Sequence, residues 1–215
     1  MKTIVIAALV MLPAVAISTA SLHARSRPIM PDNAVYVAQL SPMNHKASGT
    51  SAGGEMRFTV HGDSLTISVR VHGVPPNIEH WQHFHGFPDG RQARCATMAA
   101  DTSRDGYIDI RETEPVMGTT MVPFNANPVG MEVPTHDYPH ADAKGNYVYE
   151  KTVALPALQR AFGMKFGGEI DLAKRVVQVH GVPESTELPR TVASLGTLSS
   201  RITIPLACGP IKRIK

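Results

Sequence analysis

The stretch Glu55-Met56-Arg57-Phe58-Thr59-Val60-His61-Gly62-Asp63-Ser64-Leu65-Thr66-Ile67-Ser68-Val69-Arg70-Val71 alternates apolar and polar residues on both sides of a turn signal. A period of two puts Met56, Phe58 and Val60 on one face, and Leu65, Ile67, Val69 and Val71 on one face of the next run. His61-Gly62-Asp63 supplies the tight turn between two half-buried strands. The same pattern recurs upstream in Ala34 to Leu40, and later strand-like runs are Asn146 to Leu155, Arg175 to Val179 and Arg201 to Leu206. Only Ala157 to Phe162 and Asp171 to Lys174 suggest short helical turns. Between Asp101 and Ala143, five prolines (115, 123, 128, 134 and 139) point to a long ordered loop. The expectation is an all-β chain, an antiparallel sandwich or barrel with long loop insertions and no internal repeat.

The 215 residues are 43% hydrophobic and 18% charged, enough for one core without a disulfide lattice. Lys and Arg are scattered rather than striped, which argues against nucleic-acid binding. The N-terminus, with Lys2, an apolar run from Thr3 to Ile17 and the small residues Ser18-Thr19-Ala20, has the pattern of a secretory signal cut after Ala20. Pro13 and the shortness of the run argue against a membrane anchor. Loss of Lys2 takes the net charge from +3 to near +2. The expected layout is a signal peptide at 1–20, a flexible segment at 21–33 and one domain at 34–215, exported to a periplasmic or extracellular space with no membrane attachment after cleavage. In such an oxidising compartment Cys95 and Cys208 are able to persist as a disulfide, two free thiols being the alternative.

Three of the ten histidines fall within His80-Trp81-Gln82-His83-Phe84-His85. In an extended chain His83 and His85 point to one face, roughly 7 Å apart at the backbone. That spacing suits one metal ion at ~2.0 Å from each ring. A third imidazole is offered by His180, at the end of Arg175-Val176-Val177-Gln178-Val179-His180. The plain alternative is that these are surface or capping histidines.

Taken together, Gly73-Val74-Pro75-Pro76, His80-x-x-His83-x-His85, Cys95, Val179-His180 and Leu206-Ala207-Cys208-Gly209 resemble the copper/zinc superoxide dismutase family in order and approximate spacing. The resemblance implies a Greek-key antiparallel β-sandwich. It implies that His83, His85 and His180 are copper ligands, that His80 is a structural histidine beside them, and that Cys95 and Cys208 form the family disulfide. It also implies superoxide as substrate, converted to dioxygen and hydrogen peroxide at a histidine-ligated copper.

Two departures stand against a full match. No histidine occurs from Arg94 to Thr135, so the family's zinc loop lacks its ligands and zinc is not expected. His136 and His140 are the only further histidines before His180, as additional copper ligands, second-metal ligands or plain surface residues. Pro205 stands where the family places its anion-attracting arginine, with Arg190 and Arg201 as candidates to take over that role.

The insertion also carries Asp101-Thr102-Ser103-Arg104-Asp105-Gly106-Tyr107-Ile108-Asp109-Ile110-Arg111-Glu112, which fits a twelve-residue EF-hand loop. Asp101, Ser103, Asp105, Asp109 and Glu112 would offer side-chain oxygens to calcium and Tyr107 its carbonyl, with Gly106 at the sharp turn. The flanking residues, Cys95 to Ala100 and Thr113 to Gly118, look too short and irregular for a sensor's helix pair; a solvated acidic turn is the alternative. Two functions follow: an exported copper protein that dismutates superoxide, or a non-catalytic extracellular β-sandwich that binds copper, calcium or both.

Overall fold

The computed structural model describes residues 30–215; the expected signal peptide and most of the expected flexible segment lie outside the described residues. Met30, at the end of that segment, is already buried in the core. The strands are β1 (Val35–Pro42), β2 (Gly53–His61), β3 (Ser64–His72), β4 (Gln82–Gly86), β5 (Thr119–Pro123), β6 (Tyr147–Ala154), β7 (Val176–His180), β8 (Pro205–Pro210) and β9 (Lys212–Arg213). The helices are α1 (His45–Ser48), α2 (Ile110–Met117), α3 (Leu155–Phe166) and α4 (Ser200–Thr203). Among the described residues the strands form one sheet in the order β5-β4-β7-β8-β1-β2-β3-β6, with β9 beside β1, and every pairing is antiparallel. The protein is therefore mostly antiparallel β.

The opening hairpin forms as its alternation dictates. His61 pairs with Ser64 across the two-residue turn, where Gly62 takes a φ of 53° that favours glycine. Met56, Phe58, Val60, Leu65, Ile67, Val69 and Val71 turn into the core, and the opposite face is polar, with Thr66 bonded to Thr152 and Ser68 to Glu150. β1 joins the two halves of the sheet: its residues 35–40 pair with β2, while Ser41 and Pro42 pair with β8. The sheet curls, so that Phe124, just past β5, packs its ring against Phe58 of β2 at 5.7 Å and Phe84 of β4 at 6.0 Å.

β4 and β7 behave differently from the hairpin, because every residue in both is buried. Phe84, Val177 and Val179 face the main core. The other face, which carries His83, His85, Val176 and Gln178, is roofed by chain from 87–118 and 182–204, and a second apolar cluster of Met43, Phe87, Ala93, Ala96, Ile108, Met117, Val176 and Cys208 fills part of that interface. A strand covered on both faces shows no alternation.

Some local expectations are corrected. The stretch from Asp101 to Ala143 is not all loop, since it contains α2 and β5. Asp109 starts α2 by accepting the N–H groups of Arg111 and Glu112, while the Glu112 carboxylate accepts the Asp109 N–H, a reciprocal capping box. The run from Arg201 to Leu206 is not one strand: α4 occupies its first half and β8 begins at Pro205. The helix expected at Ala157 to Phe162 extends over Leu155–Phe166, with Leu155, Leu158 and Phe162 on its buried side and Gly167 closing it. Among the described residues no helix is long and apolar enough to cross a membrane.

Candidate metal centre

β4 and β7 lie side by side, with His83 opposite Gln178. The pairing register shifts between His83 and His85 on the β5 side and between Val179 and His180 on the β8 side. Such irregularities re-aim side chains, and here the three rings converge, with centroids 4.8 Å (His83–His85), 4.6 Å (His83–His180) and 5.9 Å (His85–His180) apart. One ring nitrogen from each lies within 4.8 Å of the other two. An ion held at about 2.0 Å by all three requires nitrogens no more than about 4 Å apart, so the rings need to close by less than about 1 Å.

Hydrogen bonds say which nitrogens are free. His180 donates from Nδ1 to the Thr203 carbonyl at 2.8 Å, and His85 Nδ1 lies 3.4 Å from the Gly118 carbonyl. A carbonyl has no proton to give, so each bond puts the ring proton on Nδ1 and leaves a lone pair on Nε2. His83 Nδ1, His85 Nε2 and His180 Nε2 are buried with no hydrogen-bond partner. Leaving three polar atoms of one cluster unsatisfied in the interior costs about 1–3 kcal/mol each unless something else satisfies them. A transition-metal ion is the partner such an arrangement suits.

Burial holds all three rings neutral. It lowers His180 to about 4; burial and then the His180 ring lower His85 to about 3, and His83 is pushed well below its ordinary 6.5 by burial and its two neighbours. In the metal-free protein, stability should therefore fall with acidity. The unfolded rings take up protons near pH 6.5 and the buried rings resist down to about 3 and 4, so the stabilisation is complete above 6.5 and is lost as pH drops towards those values. At pH 5 the loss is roughly 2 kcal/mol each for His85 and His180. A urea midpoint in chelator at pH 5, compared with pH 7.5, measures it; equal midpoints would refute it.

His80 is fully buried beside the cluster. Its Nδ1 faces the His180 carbonyl at 3.0 Å, its Nε2 faces the Pro75 carbonyl at 2.8 Å, and its ring stacks on Tyr147 at 5.8 Å. Burial lowers its pKa, opposed by the two carbonyls. The ring thus pins the end of β7 to the segment before β4. Glycine is required where Gly118 meets β4, because a Cβ there would sit 2.1 Å from the Gly86 carbonyl oxygen. That close approach sets the carbonyl that faces His85.

The remaining expected ligands are placed elsewhere. His136 is exposed, 3.7 Å from Glu79, and His140 is exposed in a bridge to Glu79. Among the described residues only His83, His85 and His180 form a group of three or more histidine, cysteine or acidic side chains drawn to one point. The calcium-loop residues lie together in one loop, where their side chains bond to the loop's own main chain. Asp101 accepts the N–H groups of Asp105 and Gly106, Glu112 those of Thr102, Ser103 and Asp109, and Asp105 that of Tyr107. Asp109 also accepts the Ala193 N–H, and Asp105 the Thr191 hydroxyl. Ser103 donates its hydroxyl to Asp101.

Cys95 and Cys208 are joined as a disulfide, with Cα atoms 5.8 Å apart. It fastens the insertion to β8 beneath the roof. Pro205 is buried and carries no charge, Arg190 is exposed, and Arg201 donates to the Thr186 carbonyl. Composition and spacing gave no sign of the groups that orient the rings, Thr203, Gly118 and the Pro75 carbonyl; a carbonyl has no side-chain signature. No family model and no curated protein matches this chain.

Proposed function

We infer that this chain is an exported copper-binding protein with a superoxide dismutase-like Greek-key β-sandwich, holding one copper ion at His83, His85 and His180. The observation that carries the reading is the set of three buried, partnerless ring nitrogens on converging histidines. Imidazole suits zinc, iron and nickel as well as copper, and the choice of copper rests on the family resemblance. The Cys95–Cys208 disulfide fits the oxidising compartment that the N-terminal pattern implies. Copper at this place would supply one-electron redox chemistry, while Thr203 and Gly118 keep two rings in the ligating tautomer and His80 braces the strand end.

Storage or transfer of copper is the reading the site supports best. Dismutation of superoxide is favoured by the ligand set but needs an anion to reach the metal, and Pro205 offers nothing to attract one. One preparation decides between them. The protein should take up one copper per chain, His83→Ala should lower affinity by at least about 100-fold through loss of one of three ligands, and superoxide removal should stay near that of free buffer. Failure to bind copper under reconstitution would sink both readings, and rapid superoxide removal abolished by His83→Ala would establish the second.

A further inference from the structure

A partly open cavity of about 190 Å³ adjoins the three-histidine group, with His83 and His180 forming part of its wall. The rest is Trp81, Ile110, Thr120, Val133, Pro134, Leu195, Leu198 and Thr203, and the surface it presents is apolar throughout. Among the described residues no lysine or arginine lines it. Arg111, next to Ile110, turns its guanidinium to the Ser194 carbonyl, and Trp81 is braced from behind by Tyr138 at 5.4 Å.

We propose that this cavity is an antechamber to the histidine group that admits small uncharged apolar molecules, up to the size of one aromatic ring, and turns anions away. Its size and walls resemble engineered apolar cavities of about 150 Å³, which take up benzene or xenon. An anion entering it would shed its hydration against leucine, isoleucine and proline with no cation in the wall to compensate, whereas an uncharged apolar molecule gains by leaving water. The selectivity sits in the wall, so it exists before any metal binds. Its bearing on function, that ligands reaching the metal are neutral, rests on the metal reading above.

The test uses Trp81, the single tryptophan of the chain, as a built-in reporter on the cavity wall. Metal-free protein is titrated with benzene and with benzoate while indole fluorescence and the indole N–H resonance are followed. Benzene should bind saturably and at least about tenfold more tightly than benzoate, and Leu198→Arg should raise benzoate affinity by supplying a cation. No saturable benzene binding, or equal binding of benzoate, would overturn the proposal. In copper-loaded protein, azide should leave the visible spectrum unchanged up to tens of millimolar, and a new charge-transfer band at lower concentration would also overturn it. Should copper fail to bind at all, the metal reading falls alone and the two titrations still decide the cavity.

Discussion

Replacing Arg175 by alanine is expected to remove most of the stability of the fold. Arg175 is only 2% exposed, and its guanidinium donates to three main-chain carbonyls: Ile170 from Nε at 2.8 Å, Phe87 from Nη1 at 2.8 Å and Glu169 from Nη2 at 2.9 Å. It also lies over the Phe162 ring at 5.4 Å. Alanine would strand three carbonyl acceptors at about 1–3 kcal/mol each and open a large void. The total, about 5 kcal/mol or more, is comparable with the whole stability of an ordinary domain. Arg175→Lys keeps the stem and charge but replaces a planar fork by one point, so it should fall between the two. Urea unfolding followed by circular dichroism measures all three. A loss below about 1 kcal/mol for the alanine variant would mean that water satisfies the carbonyls in place of the arginine.

Removing the disulfide is the second large effect. Cys95 and Cys208 are separated by 113 residues, and in the chain-entropy model closing a loop of that length is worth about 4 to 5 kcal/mol. The double variant Cys95→Ser, Cys208→Ser, or reduction of the native protein, should lower the unfolding free energy from urea titration by that amount. The loss acts mainly through the unfolded chain. Unlike Arg175→Ala, it should leave the three histidines converging wherever the reduced protein remains folded. Copper affinity measured on folded, reduced protein separates the two effects. Unchanged stability on reduction would show that the roof is held by its packing alone.

How much was legible in the sequence follows from how each element is covered. β1, β2, β3 and β6 each have one face towards the core, so their alternation reads directly as a strand pattern. β4 and β7 are buried on both faces and betray themselves by their histidines rather than by period. α2 and β5 were hidden by prolines that suggest loop; Pro115 nonetheless sits inside α2 and Pro123 ends β5. His83 and His85 were legible because imidazoles at i and i+2 leave a mark in the sequence, and His180 because it closes a run of valines. Arg175 was not, because its partners are carbonyls set by the fold, and before a run of valines it reads as an ordinary strand-edge charge. Asn44 was missed for the same reason, although its side-chain amide joins Ile108 and Pro205 beneath the roof.

The two halves of that roof are clasped to each other. Thr191 bonds Asp105, and the Ala193 N–H bonds Asp109, which also starts α2. The antechamber walls Ile110, Leu195 and Leu198 stand on these clasped segments. On that side of the cavity the two segments are tied together, so they are expected to move as a pair rather than one side chain at a time. On the copper reading proposed above, exchange of a bound ion is therefore expected to be slow for its affinity, with the paired segments setting its residence time and the three histidines its strength of binding.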